Sequence, residues 1–137
     1  MTKTKILLVE DSKFLRIATE RALARAGYVV SSAEDGEQAI RMAQERRPDL
    51  ILLDMLLPKT SGHDVLLALK KEVVTADIPV VVLTGLSVKN ADRLHADGAF
   101  AFLEKSSLEM DKGARVLLAV LAEIIKKLPK PEARNSA

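Results

Sequence analysis

Leu50-Ile51-Leu52-Leu53-Asp54 is four aliphatic residues closed by a single acid, and it is one of four apolar segments that each run into a polar residue. A run this short and this continuously apolar suits a β-strand covered on both faces. Working outward, Ile6-Leu7-Leu8-Val9 runs into Glu10-Asp11, Val80-Val81-Val82-Leu83 into Thr84, and Phe102-Leu103 into Glu104-Lys105. Helical stretches separate these segments, so strand and helix alternate five times. The predicted strands are Lys5–Val9, Tyr28–Ser32, Leu50–Leu53, Pro79–Leu83 and Phe100–Leu103. The predicted helices are Ser12–Ala26, Gly36–Arg46, Gly62–Glu72, Val88–Ala96 and about Leu108–Leu128. Ser12 can cap the first helix and Gly27 stop it, Asp35-Gly36 opens the second, and Pro48 ends the loop after it. Parallel strands joined by helical crossovers give an α/β fold. The expectation is a flavodoxin-like, doubly wound (βα)5 three-layer sandwich with a parallel sheet of order 2-1-3-4-5.

Composition narrows the class. A chain of 137 residues fits one domain, large enough to bury roughly 68–70% of its unfolded surface. Residues 1–128 form the expected domain, and residues 129–137, which carry no apolar pattern, a flexible tail or linker stub. A net charge of +2 is too small to argue for direct nucleic-acid binding. With no cysteine, disulfides, thiolate catalysis and cysteine-based zinc sites are excluded. There is neither a membrane-spanning apolar run nor a signal peptide at Met1-Thr2-Lys3-Thr4-Lys5, so a cytoplasmic location is expected.

The chemistry lies at the strand ends. In a parallel α/β sheet the carboxyl ends of the strands form the rim where ligands bind. Glu10, Asp11 and Asp54 would meet there as hard oxygen ligands, a set that suits Mg²⁺ better than a transition metal. The two histidines, His63 and His95, show no ligand spacing and read as surface residues. Asp54 is the best candidate nucleophile, because it stands alone while Glu10 and Asp11 are adjacent. Aspartate can accept a phosphoryl group covalently. Thr84 and Lys105 would bind oxygens of the resulting acyl phosphate, one as a neutral donor and one as a cation. Taken singly, Asp54 could be a turn residue and Glu10-Asp11-Ser12 a capping sequence. Four such positions at four strand ends are a pattern.

Together these motifs resemble the receiver domain of two-component response regulators, the CheY-like superfamily, over about residues 4–128. They are Glu10-Asp11, Asp54 with Pro58 and Gly62 at +4 and +8, Thr84-Gly85, and Lys105 with Phe102 three residues earlier. The resemblance implies that Asp54 accepts phosphate from a histidine kinase phosphohistidine or a phosphotransfer protein. It implies that Asp11, Asp54 and the Leu56 carbonyl hold Mg²⁺, with Glu10 acting through water, and that Lys105 binds a phosphoryl oxygen. Thr84 would move towards the phosphate while Phe102 turns inward. The face made by the fourth helix, fifth strand and fifth helix would then change its affinity for a downstream protein. Such a domain catalyses its own phosphorylation and slow dephosphorylation but has no external turnover, so it is expected not to be an enzyme. It would be a monomer or a phosphorylation-dependent dimer.

Departures from the family pattern are informative. Ser106 follows Lys105 where proline is usual. A cis bond there would cost about 2.5–4 kcal/mol against about 0.5–1 with proline, so a rearranged loop is favoured. In the family, the positions that Leu56 and Leu86 occupy lie near the path of hydrolytic water, and two leucines there imply a long-lived phosphoryl state. The alternatives are a phosphorylation-independent module of the same shape and an aspartate-nucleophile phosphatase. The phosphatase would want an acid where Leu56 stands. In the last helix Ala114, Leu117, Leu118, Leu121, Ile125 and Leu128 form a stripe expected to face the sheet. Val120 and Ile124 widen it, either as more core or as a partner surface.

Overall fold

The computed structural model describes residues 3–55, 57–84, 96–104 and 110–128. Within them lie strands β1 (Lys5–Val9), β2 (Val29–Ala33), β3 (Leu50–Asp54), β4 (Val80–Thr84) and β5 (Ala101–Glu104). The helices are α1 (Lys13–Arg25), α2 (Gly36–Arg46), α3 (Gly62–Lys71) and a C-terminal helix (Met110–Lys126). The strands form one parallel sheet in the order β2-β1-β3-β4-β5, the order expected from the sequence. The fourth predicted helix lies almost wholly outside the described residues, as does the 129–137 tail. β1 has its predicted bounds; the other four strands each end one residue further, and β2, β4 and β5 also begin one residue later. The ladder explains this: Asp54 pairs with Leu83, and Thr84 with Glu104. Backbone pairing is indifferent to side-chain polarity, so it does not stop where the apolar run stops.

Period-two alternation sorts the core into two layers. Leu7, Val9, Ile51, Leu53, Val80 and Val82 pack on one face with α2 and α3, through Ala39, Ala43, Val65, Leu66 and Leu69. Ile6, Leu8, Leu50, Leu52, Val81 and Leu83 pack on the other with Leu23 of α1 and with Leu117, Leu121 and Ile124 of the C-terminal helix. Because both faces are covered, the two central strands β1 and β3 are buried almost throughout. β2 is an edge strand and only half-covered. The C-terminal stripe is centred further round the helix than predicted. Ile124 is buried, while Leu118, Val120, Ile125 and Leu128 are half-buried against the same cluster. The wider stripe is therefore core.

Local signals set the helix starts. Ser12, Asp35 and Ser61 each take extended backbone and accept an N–H from the first turn, at Leu15, Gln38 and Asp64. The Asp35 bond is the shortest, 2.8 Å to the Gln38 N–H. Asp35→Ala is expected to cost about 1 kcal/mol in urea unfolding. At the other end of α2 the chain turns on Arg47 with φ 44°, a left-handed residue that is not glycine.

The turn after α3 is closed by a lysine. Lys70 Nζ donates to the carbonyls of Ala76 (3.0 Å) and Ile78 (2.8 Å). Burial pulls its pKa below the usual 10.5, an effect that Asp77 partly offsets. The unfolded chain then holds this proton more tightly than the folded one. Stability should therefore rise with pH between the folded-state value and 10.5, and level off above it. Lys70→Met is expected to lose that alkaline rise, read as the difference between wild-type and variant unfolding curves.

Candidate functional site

The register brings the polar strand ends level. Val9 pairs with Leu53, Leu53 with Val82, and Leu83 with Leu103, so Glu10 follows β1 beside Asp54 at the end of β3. Between β1 and β3 the strand order reverses, which opens a crevice at the carboxyl edge. One oxygen each from Glu10, Asp11 and Asp54 falls within 4.8 Å of the others. Asp54 is 1% exposed and Glu10 4%, while Asp11 is exposed. The cluster therefore has a buried floor and one open side.

The turn that carries two of these acids serves two purposes. Ser12 Oγ accepts the Leu15 N–H at 3.4 Å as the cap of α1. The Ser12 N–H donates to Glu10 Oε2 at 3.1 Å, orienting that carboxylate. The Glu10 N–H donates to Ala33 O at 3.0 Å, which ties the turn to the end of β2. Capping and clustering thus share one tripeptide.

On the Asp54 side the constraint is steric. The Met55 N–H donates to Leu83 O, and the Gly62 N–H to Met55 O, both at 3.0 Å. The start of α3 thereby lies directly against the strand end. A Cβ on Gly62 would stand 2.5 Å from both Asp54 O and Met55 Cα. The glycine eight residues after Asp54 is thus a close backbone approach. Between them Lys59 takes φ 67°.

When all three acids are ionised, each pair at this separation repels by roughly 3–4 kcal/mol at an effective dielectric of about 20. A divalent cation relieves that repulsion. The donor set is all oxygen and partly open to water, which fits Mg²⁺. Thr84 ends β4 beside Glu104. Phe102 lies on β5, half-buried against the core layer under α2 and α3. Leu56, Leu86, Lys105 and Ser106 lie outside the described residues, as does the Lys105–Ser106 peptide. His63, expected at the surface, is instead half-buried with Nε2 2.6 Å from Asp97 Oδ2. Its partner is 34 residues away in sequence, so spacing could not reveal the pair. No helix among the described residues is long and apolar enough to cross a membrane.

Residues 6–116 match the family model of the response regulator receiver domain. The chain is 43% identical over 84 residues to the phosphate regulon transcriptional regulatory protein PhoB of Pseudomonas aeruginosa, covering 61% of this chain and 37% of that protein. It is 38% identical over 117 residues to a gliding motility regulatory protein of Myxococcus xanthus, covering 84% of this chain and 15% of that protein. The solved structure of the chemotaxis response regulator CheY4 of Vibrio cholerae superposes with a TM-score of 0.80 at 30% identity, covering 90% of this chain and 99% of that one. Against four of the curated regulators, the chain spans only 35–38% of their length.

Proposed function

The chain belongs to the response regulator receiver domain family, and from that premise we propose that Asp54 accepts a phosphoryl group from a phosphohistidine. The donor is a histidine kinase or a phosphotransfer protein. The observation that supports this best is the crowding of Glu10, Asp11 and Asp54 within 4.8 Å at the point where the strand order reverses.

In this reading an Asp54 carboxylate oxygen attacks phosphorus. The O–P bond forms as the P–N bond breaks, and the departing imidazole keeps the electron pair and takes a proton from solvent. Asp11, Asp54 and the Leu56 carbonyl would hold Mg²⁺, with Glu10 reaching it through water. When bound, the ion supplies charge neutralisation between the attacking carboxylate and the phosphoryl oxygens. Thr84 and Lys105 bind the oxygens of the acyl phosphate. The new charge is a local event that biases a two-state element. Thr84 shifts towards it, and the ring of Phe102 takes the space released. Phe102 lacks a hydroxyl, so it signals by occupancy. The face of the fourth helix, β5 and the C-terminal helix then binds or releases a downstream protein, and the phosphoryl group is lost slowly without external turnover.

The test is to incubate the protein with Mg²⁺ and acetyl phosphate. The expected result is a mass gain of one phosphoryl group, mapped to Asp54 and absent when the metal is chelated. No gain, or a gain mapped elsewhere, overturns the reading.

A further inference from the structure

Arg16, on the second turn of α1, turns back towards the rim. Its Nη1 donates to the carbonyl oxygens of Glu10 (3.1 Å) and Asp11 (3.4 Å). Its Nη2 lies 3.2 Å from Glu34 Oε1, on the turn after β2. The Arg16 side chain is only 12% exposed, while that of Glu34 is 65% exposed. One guanidinium thus grips the backbone of both acids of the β1–α1 turn and anchors them to a neighbouring turn. Its planar fork allows this, and a lysine ammonium would not reproduce the geometry. An exposed ion pair alone is worth little, but carbonyls held by a mostly buried guanidinium are charge-assisted contacts.

We propose that Arg16 is a positioning residue that fixes the β1–α1 turn so that the carboxylates of Glu10 and Asp11 meet Asp54 ready for the cation. This rests on the phosphoacceptor reading above. Glu10 and Asp11 are consecutive, so a small rotation of the turn would swing one carboxylate away. Holding both carbonyls removes that freedom. Bare electrostatics gives the opposite sign: deleting a cation near an acidic cluster should tighten binding of a divalent ion. Positioning requires that binding weaken. The direction of the change decides between them.

The experiment measures Mn²⁺ binding, with the aqua-ion signal in electron paramagnetic resonance, for wild type, Arg16→Met and Arg16→Lys. Circular dichroism and urea midpoints are recorded on the same samples. Arg16→Met is expected to weaken Mn²⁺ about tenfold, at the low end of the 10–100-fold range seen on removing groups that orient metal ligands. Arg16→Lys, which keeps the charge, should also weaken it. Labelling by acetyl phosphate should recover in excess Mn²⁺, because the loss lies in metal occupancy. If Arg16→Met does not fold, the lysine variant carries the test. Unchanged or tighter Mn²⁺ binding in a folded variant overturns the proposal and leaves the phosphoacceptor reading standing. A wild type that binds no Mn²⁺ overturns both.

Discussion

Gly62→Ala is expected to cost about 3 kcal/mol or more of folding stability, with Gly27→Ala costing about 1 kcal/mol beside it. The contrast comes from what surrounds each residue. Gly27 has φ +99° but nothing within 4 Å of the place a methyl group would take, so alanine there meets only the left-handed backbone penalty. At Gly62 the methyl group would meet Asp54 O and Met55 Cα, each at 2.5 Å, and both belong to the main chain. No rotamer change relieves a backbone clash. The start of α3 must instead move off the end of β3, which breaks the Gly62 N–H to Met55 O bond and loosens Val65 and Leu66 in the core. Urea unfolding of both variants checks this. A Gly62→Ala cost no larger than that of Gly27→Ala would show that the approach yields easily. The same displacement disturbs the main chain of Asp54, so residual folded Gly62→Ala should also bind divalent cations more weakly.

Much of this architecture was legible because two signals coincide at four of the five strand ends. A short apolar run marks a strand covered on both faces, and one or two polar residues mark its carboxyl edge. With the order 2-1-3-4-5, Glu10, Asp11 and Asp54 had to converge, and they do so within 4.8 Å. What stayed hidden involves the main chain or distant partners. The Arg16 clamp uses backbone carbonyls, which every residue has, so no residue type betrays it. Gly62 was visible as a spacing, but its reason is the path of the chain beside Met55. The left-handed turn at Arg47 has no glycine to announce it. His63 and Asp97 meet only through the fold. The shift of the C-terminal stripe towards Ile124 depends on how the helix is laid on the sheet, which periodicity alone does not fix.

Asp54→Asn is expected to abolish the phosphoryl mass gain, whereas Asp11→Asn should slow it at least about a hundredfold without moving it. The two side chains share the cluster but not the task. Asp54 is 1% exposed at the strand end and, in the proposed reading, would supply the attacking oxygen; its amide counterpart has no anionic oxygen to offer phosphorus. Asp11 is exposed and, in the same reading, would contribute charge for the cation, so its loss would lower metal occupancy while the nucleophile survives. Raising Mg²⁺ should therefore recover part of the rate in Asp11→Asn and none in Asp54→Asn. Asp49→Asn serves as the control, because Asp49 accepts the Lys5 N–H at 2.9 Å at the opposite edge of the sheet. Its labelling rate should match wild type. Rates are read by intact mass after timed exposure to acetyl phosphate. Labelling of Asp54→Asn at the wild-type rate would place the acceptor elsewhere and leave the three acids as a metal site without a nucleophile. Equal, metal-insensitive losses in both variants would mean that the acids act as one structural unit, and the division of labour between them would fall.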